Sequence, residues 1–153
     1  MRVLEPWVES PLSEFLTESS AQLVLLMTSS GQVIAQHGFT RSLDVMSVAA
    51  LGAAIVASTG ELARVMDTEA LGHVVHQGKG CGVLLAPFPM GEKTWIGLIV
   101  FGRDTTLGLV QVFFHTMTQQ IREAAPGSRK DEQVLAEEFE DELNRSLRRL
   151  FGR

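Results

Sequence analysis

Between Leu43 and Met66 the chain reads LDVMSVAALGAAIVASTGELARVM, and Val45 to Gly60 carries no charge. The run is entered after TRSLD, where Ser42 or Asp44 is placed to cap a helix. It is shorter than the ~18 to 20 residues that span a bilayer. It is also too apolar for a helix that covers one face of a core. At ~100° per residue, Val45, Val48, Gly52, Ile55, Val56, Thr59 and Met66 share one broad side. That side is bulky and suits packing on a sheet. Met46, Ala49, Ala50, Ala53, Ala57 and Gly60 form an adjacent side of mostly small residues. Ser47, Leu51, Ala54, Ser58, Glu61 and Leu62 make up the remaining, mixed strip. A helix apolar on more than one side is buried on more than one side. One sheet covers the bulky side. The small side is covered either by the terminal helices of the same chain or by a second copy across a two-fold axis. The second reading makes Met46, Ala49, Ala50, Ala53, Ala57 and Gly60 a dimer interface.

The rest of the composition narrows the class. With 153 residues, 45% of them apolar, one globular domain plus an extension is expected. A net charge of −5 with no dense Lys/Arg cluster argues against nucleic acid or anionic lipid as main partner. Cys81 is the only cysteine, which points to a reducing compartment. The segment MRVLEPWVESPLSEF lacks the apolar stretch of a signal peptide. These features together predict a cytoplasmic protein.

Along the chain, ESPLSEFLTESS predicts a short helix with Ser10 as N-cap and Pro11 in the first turn. Ala21 to Thr28 reads as a buried strand, SSGQ as a turn and VIAQHG as a second strand. After the central helix come LGHVVHQGKG, CGVLLAPF (stopped by Pro87 and Pro89) and TWIGLIVF, three further strands. Leu107, Val110, Phe114, Met117 and Ile121 give the next helix one apolar stripe. The order α-β-β-α-β-β-β-α implies an α+β fold with a five-stranded antiparallel sheet. Both internal helices are expected on one of its faces. The domain covers 1–125, a linker 126–130, and an appended amphipathic helix 131–153.

Catalytic chemistry is hard to assemble from these residues. His73 and His76 are spaced H-x-x-H, but residues three apart on a strand point to opposite faces. GKGCG is followed by an apolar strand rather than a helix, so it lacks the build of a phosphate loop. Nothing near Cys81 argues for a reactive thiol. Asp67 and Glu69 read as solvated loop residues, Trp7 and Trp95 as packing residues. No metal site, no cofactor and no active site of the chain's own is expected. The chain reads as an interaction module.

AQLVLLMTSSGQVIAQHG, MSVAALGAAIVASTGELARVM, VVHQGKGCGVLL and LGLVQVFF, in that order, resemble the Roadblock (dynein light chain-like) family over about Ser19 to Ala125. HQG at His76–Gly78 and the amphipathic tail resemble its bacterial MglB type. Thr28, Ser29 and Ser30 stand where the family often has Asp before the hairpin Gly. The resemblance implies a Roadblock/profilin-like fold. It implies a homodimer with paired central helices and a sheet continuous across both copies. It also implies a small Ras-like GTPase of the MglA kind as partner, activated by pushing the GTPase's own catalytic residues into place. Arg41 and Arg64 are the candidates for an inserted arginine, with a solvated helix-end residue as the plainer reading. Ser47, Leu51, Ala54, Ser58 and Glu61 are the expected GTPase-facing strip. A scaffold dimer that binds a GTPase or motor component without changing turnover is the alternative. A small-ligand sensor is a third class, and no convergent polar set supports it.

In the tail, Leu135, Phe139, Leu143, Leu147 and Leu150 form an apolar line. Glu137, Glu138, Glu140, Asp141 and Glu142 crowd its first half, and Arg145, Arg148 and Arg149 its last turns. A lone helix of this length is marginal in water, so this line is expected to dock on the domain, a dimer mate or the GTPase. The acidic half disfavours a membrane surface.

Overall fold

The computed structural model describes residues 2–3, 6–39, 43–69, 71–126 and 129–151, with side-chain surroundings for 6–39, 43–69, 71–126 and 139–151. Ser42, one of the two expected caps, and Arg41 lie outside the described residues. The elements are β1 (Arg2–Val3), α1 (Pro6–Ser19), β2 (Leu23–Thr28), β3 (Val33–Gly38), α2 (Val45–Val65), β4 (Val74–Gly78), β5 (Cys81–Met90), β6 (Lys93–Phe101), α3 (Leu107–Ala124) and α4 (Arg129–Leu150). The sheet is antiparallel throughout, in the order β1-β3-β2-β6-β5-β4. The five expected strands are all present, and the two-residue β1 adds an edge beside β3.

Alternation along β2 divides the core. Val24 and Leu26 face one layer with Leu84, Phe88, Ile99 and Phe101; Leu25 and Met27 face the other with Leu85, Ile96 and Leu98. The first layer is sealed by two helices. α1 contributes Val8, Leu12 and Phe15, and α3 contributes Val110, Phe114, Met117 and Ile121, as its stripe predicted. Edge-to-face pairs tie this layer together. Phe114 meets Phe15 at 6.5 Å and Phe88 at 5.8 Å, while Trp7 stacks on Trp95 at 5.9 Å. Among the described residues the second layer is covered by α2 alone. The two internal helices therefore lie on opposite faces, not on one as expected. α3 pairs with the N-terminal α1 instead, because their large side chains need each other to fill the space above the sheet.

Two boundaries differ from expectation for identifiable reasons. α1 starts at Pro6, not Ser10, and runs through a buried Pro11. Pro11 forfeits one helical hydrogen bond, and burial of Val8 together with the Trp7–Trp95 stack holds the turn before it. β5 continues through Pro87 and Pro89 to Met90. Its pairing with β4 ends at Leu85, so from Ala86 onward β5 pairs only with β6. Proline is tolerated on such an edge because no ladder bond is asked of it there.

Candidate functional site

The site is α2 and the sheet edge beside it. Asp44 caps the helix: its Oδ1 accepts from the Ser47 N–H at 3.2 Å and its Oδ2 from the Ser47 hydroxyl at 2.7 Å. Those two bonds hold the Asp44 carboxyl below the usual carboxylate range. At the far end Arg64 donates to Glu61, keeping the Glu61 carboxyl below its ordinary value. Arg64 is thus engaged along its own helix.

The rotation of α2 on the sheet differs from the expected one. Its buried residues are Ala49, Gly52, Ala53 and Ala63, all small. Val45, Val48, Ile55 and Val56, the bulky side assigned to the sheet, are only partly buried, and Met66 is exposed. The reason lies in the sheet. Leu25, Met27, Leu85, Ile96 and Leu98 already fill the layer, so the helix that approaches must be narrow. A Cβ on Gly52 would stand 3.1 Å from Leu98 Cδ1 and 3.2 Å from Leu85 Cδ2.

This corrects part of the expected dimer interface. Ala49 and Ala53 are 0% and 6% exposed within the single chain. They pack on the protein's own sheet, and with Ala50 they receive the β2–β3 turn. A Cβ on Gly31 would lie 3.2 Å from Ala50 Cα and 3.5 Å from Ala53 Cβ. Ala49 and Ala53 on the small side are thus closed by the chain's own sheet and hairpin. Met46, Ala50, Ala57 and Gly60 remain exposed on that side.

The expected GTPase-facing residues Ser47, Leu51, Ala54, Ser58 and Glu61 are all exposed and run along the side of α2 away from the sheet. Because Ala49, Ala50 and Ala53 face the β2–β3 turn and Gly52 stands over β6, the opposite flank overlooks β5 and β4. That flank carries Val48, Leu51, Ile55 and Leu62. Leu51, Leu62, Val65 and Met66 are large and exposed. From the sequence Leu62 falls on the mixed strip but not among the partner-facing residues, and Val65 is given no place, although the spacing Leu51, Ile55, Leu62 and Met66 was there to be read. In all, 17% of the most apolar 18-residue window of α2 is buried. By length and composition α2 would cross a membrane, since it runs beyond the uncharged stretch to Val65. Its buried stripe, however, is fitted to its own sheet.

Beyond β5 on that side lies β4, paired among the described residues with β5 alone. Val74 joins the α2 layer and Val75 the α1/α3 layer. His76 follows Val74, whereas His73 stands edge-on to Phe114 at 5.9 Å, so the two imidazoles face opposite sides of the sheet. Burial lowers the His73 pKa below the ordinary histidine value. Cys81 is exposed at the exit of the β4–β5 turn. Beyond β4, Pro87 and Pro89 blunt the continuing edge of β5, leaving β4 as the stretch of that edge with a full set of N–H donors. Among the described residues no group of three or more His, Cys, Asp and Glu is placed to hold a metal ion.

α4 presents Phe139, Leu143, Leu147 and Leu150 as exposed side chains, with Phe151 just beyond. The side chain of Leu135 lies outside the described residues.

Three solved structures share this architecture. Myxococcus xanthus MglB superposes with a TM-score of 0.70 at 23% identity, over 77% of this chain and 94% of that one. The gliding protein MglB of Thermus thermophilus gives 0.68 at 25% identity, over 80% and 94%. A Roadblock/LC7 domain from Streptomyces avermitilis gives 0.64 at 16% identity, over 74% and 93%. No curated protein is significantly similar in sequence. The family model of the Roadblock/LC7 domain matches residues 8–98, from the first buried turn of α1 to the middle of β6. With that match across more than half its length, and with the sheet and helix order just described, the chain belongs to the Roadblock/LC7 domain family.

Proposed function

We propose that the chain is a homodimeric regulator of a small Ras-like GTPase of the MglA kind, and that it activates GTP hydrolysis. The observation that carries this reading is the exposed apolar flank of α2 above the one-sided strand β4, on a fold shared with MglB of Thermus thermophilus. A second copy related by a two-fold axis normal to the sheet covers Val48, Leu51, Ile55 and Leu62 with their own counterparts and pairs β4 with β4. The two α2 helices then form one platform. Ser47, Ala54, Ser58 and Glu61 line its outer surface, with Leu51 at the boundary of the seam.

Activation of GTP hydrolysis is mainly positioning and charge stabilisation. A stimulation of ~10³ to 10⁵-fold corresponds to roughly 4 to 7 kcal/mol off the barrier. A rigid platform that binds one conformation of a switch loop more tightly than the others supplies part of that. Arg64 already has Glu61 as its partner, which favours positioning over an inserted arginine.

The deciding experiment is multiple-turnover GTP hydrolysis by the cognate GTPase with and without this protein. Acceleration is expected. Binding without acceleration assigns the chain to the scaffold class instead. Ala54→Arg on the outer surface is expected to abolish stimulation while the native mass stays that of the unaltered protein. Arg64→Ala is expected to leave stimulation within about twofold, since no catalytic charge is assigned to it.

A further inference from the structure

The apolar row on α4 is left uncovered by the domain to which it is attached. Phe139, Leu143, Leu147 and Leu150 are exposed, and Phe151 extends the row by one residue. Helices in proteins draw most of their stability from packing an amphipathic face, so such a row calls for a cover. The charges decide what covers it. Glu140, Asp141 and Glu142 precede Leu143, and Arg145, Arg148 and Arg149 follow it. A parallel copy of the helix sets acid on acid and base on base. An antiparallel copy sets each acidic block against a basic block.

The register can be read as well. Glu142 and Arg149 are seven residues apart and lie on the same flank of the row at ~100° per residue. A two-fold axis near Arg145 brings Glu142 of each helix to Arg149 of the other. The same axis sets Leu143 against Leu147 and Phe139 against Phe151. The overlap from Phe139 to Phe151 is about 20 Å long at ~1.5 Å per residue, and every large apolar side chain described on this helix falls within it. A two-fold contact of this kind is self-complementary.

We propose that α4 is a second self-association element: its segment Phe139–Phe151 pairs antiparallel with the same segment of another copy. This pairing is independent of the GTPase reading and of the α2 seam. Where the α2 seam forms as well, it either clasps the two chains of that dimer or joins two dimers.

Oxidative cross-linking of the full chain tests it, in a Cys81→Ser background so that the introduced thiol is the only one. Ser146→Cys lies next to the proposed axis and is expected to cross-link. Phe139→Cys is expected not to, because its two copies stand at opposite ends of the overlap. Cross-linking at both positions means parallel pairing, and at neither means no pairing; each result overturns the proposal. With Ser146→Cys in place, reversing the basic block by Arg145→Glu, Arg148→Glu and Arg149→Glu is expected to abolish the cross-link. Reversing the acidic block by Glu140→Lys, Asp141→Lys and Glu142→Lys is expected to do the same. Mixing the two reversed chains restores complementarity, and the cross-link is expected to return between them. Failure of the mixture to cross-link overturns the charge argument. Docking of α4 on its own domain or on a GTPase predicts no such rescue.

Discussion

Single residues set the placement of α2, and they can be tested singly. Asp44 is the cap, and its ionised form accepts both bonds from Ser47. Its folded pKa is depressed, so its contribution is present above the unfolded value and is lost as pH falls through the folded one. Asp44→Asn is expected to keep the cap but flatten the acid limb of a thermal-midpoint profile. Asp44→Ala is expected to lower the midpoint at neutral pH as well. His73 has the opposite charge type. Its lowered pKa favours the neutral ring, so its contribution is full above the unfolded histidine value and falls as pH drops below it. Gly31 is a different kind of constraint. It adopts φ +89° in the β2–β3 turn, with its absent Cβ aimed at Ala50 and Ala53. The turn is closed by Thr28, whose hydroxyl accepts from the Gln32 N–H at 3.1 Å, so a threonine serves where an aspartate was looked for. Gly31→Ala both strains the backbone and presses on α2. A loss of about 1–3 kcal/mol is expected, measured by urea unfolding.

At the level of elements, the strands and α3 were legible because their burial is one-sided or total and local. Val110, Phe114, Met117 and Ile121 recur at helical spacing and are buried. α2 was legible as a helix apolar on several sides, but not in its rotation. A helical wheel records which residues share a side; it carries no record of how much volume the sheet has already supplied. With Met27, Leu85 and Leu98 beneath, Gly52 and the alanines go down, and the valines and leucines are left to the flanks. The candidate partner strip was readable as the side opposite, whereas the importance of β4 was not. It is the last strand of the sheet, and Pro87 and Pro89 blunt the β5 edge past the end of its pairing, which is a matter of strand order and register. The two flanks of α2 can be told apart experimentally. Leu62→Glu adds a charge on the flank over β4, where the single chain is exposed. In a chain truncated before Arg129, so that α4 cannot join copies, a folded monomer by circular dichroism and native mass is expected. Ala53→Glu puts a charge against the chain's own sheet, where Ala53 is 6% exposed. Loss of the fold itself, by several kcal/mol, is expected there.

For the whole molecule the two faces of the sheet are unequal, and the inequality has a thermodynamic consequence. One face is finished within the chain: α1 and α3 close over it with Phe15, Phe114 and Met117 nearly inaccessible. The other carries one helix that leaves Met46, Leu51, Leu62, Val65 and Met66 in water. Large apolar side chains left exposed along one helix signal an interface. If a second copy completes that face, folding and association are linked, and mass action makes the stability depend on concentration. The thermal midpoint is expected to rise steadily as protein concentration is raised a hundredfold. With Leu62→Glu in a chain truncated before Arg129, the dependence is expected to vanish and the midpoint to settle near the low-concentration value of the truncated chain without the substitution. Removing α4 by truncation before Arg129 is expected to leave this dependence in place, because the α2 face is untouched. A midpoint that ignores concentration in the full-length protein, at a native mass of one chain, would mean that α2 keeps its apolar flank in water. The paired platform on which GTPase activation is argued would then not exist.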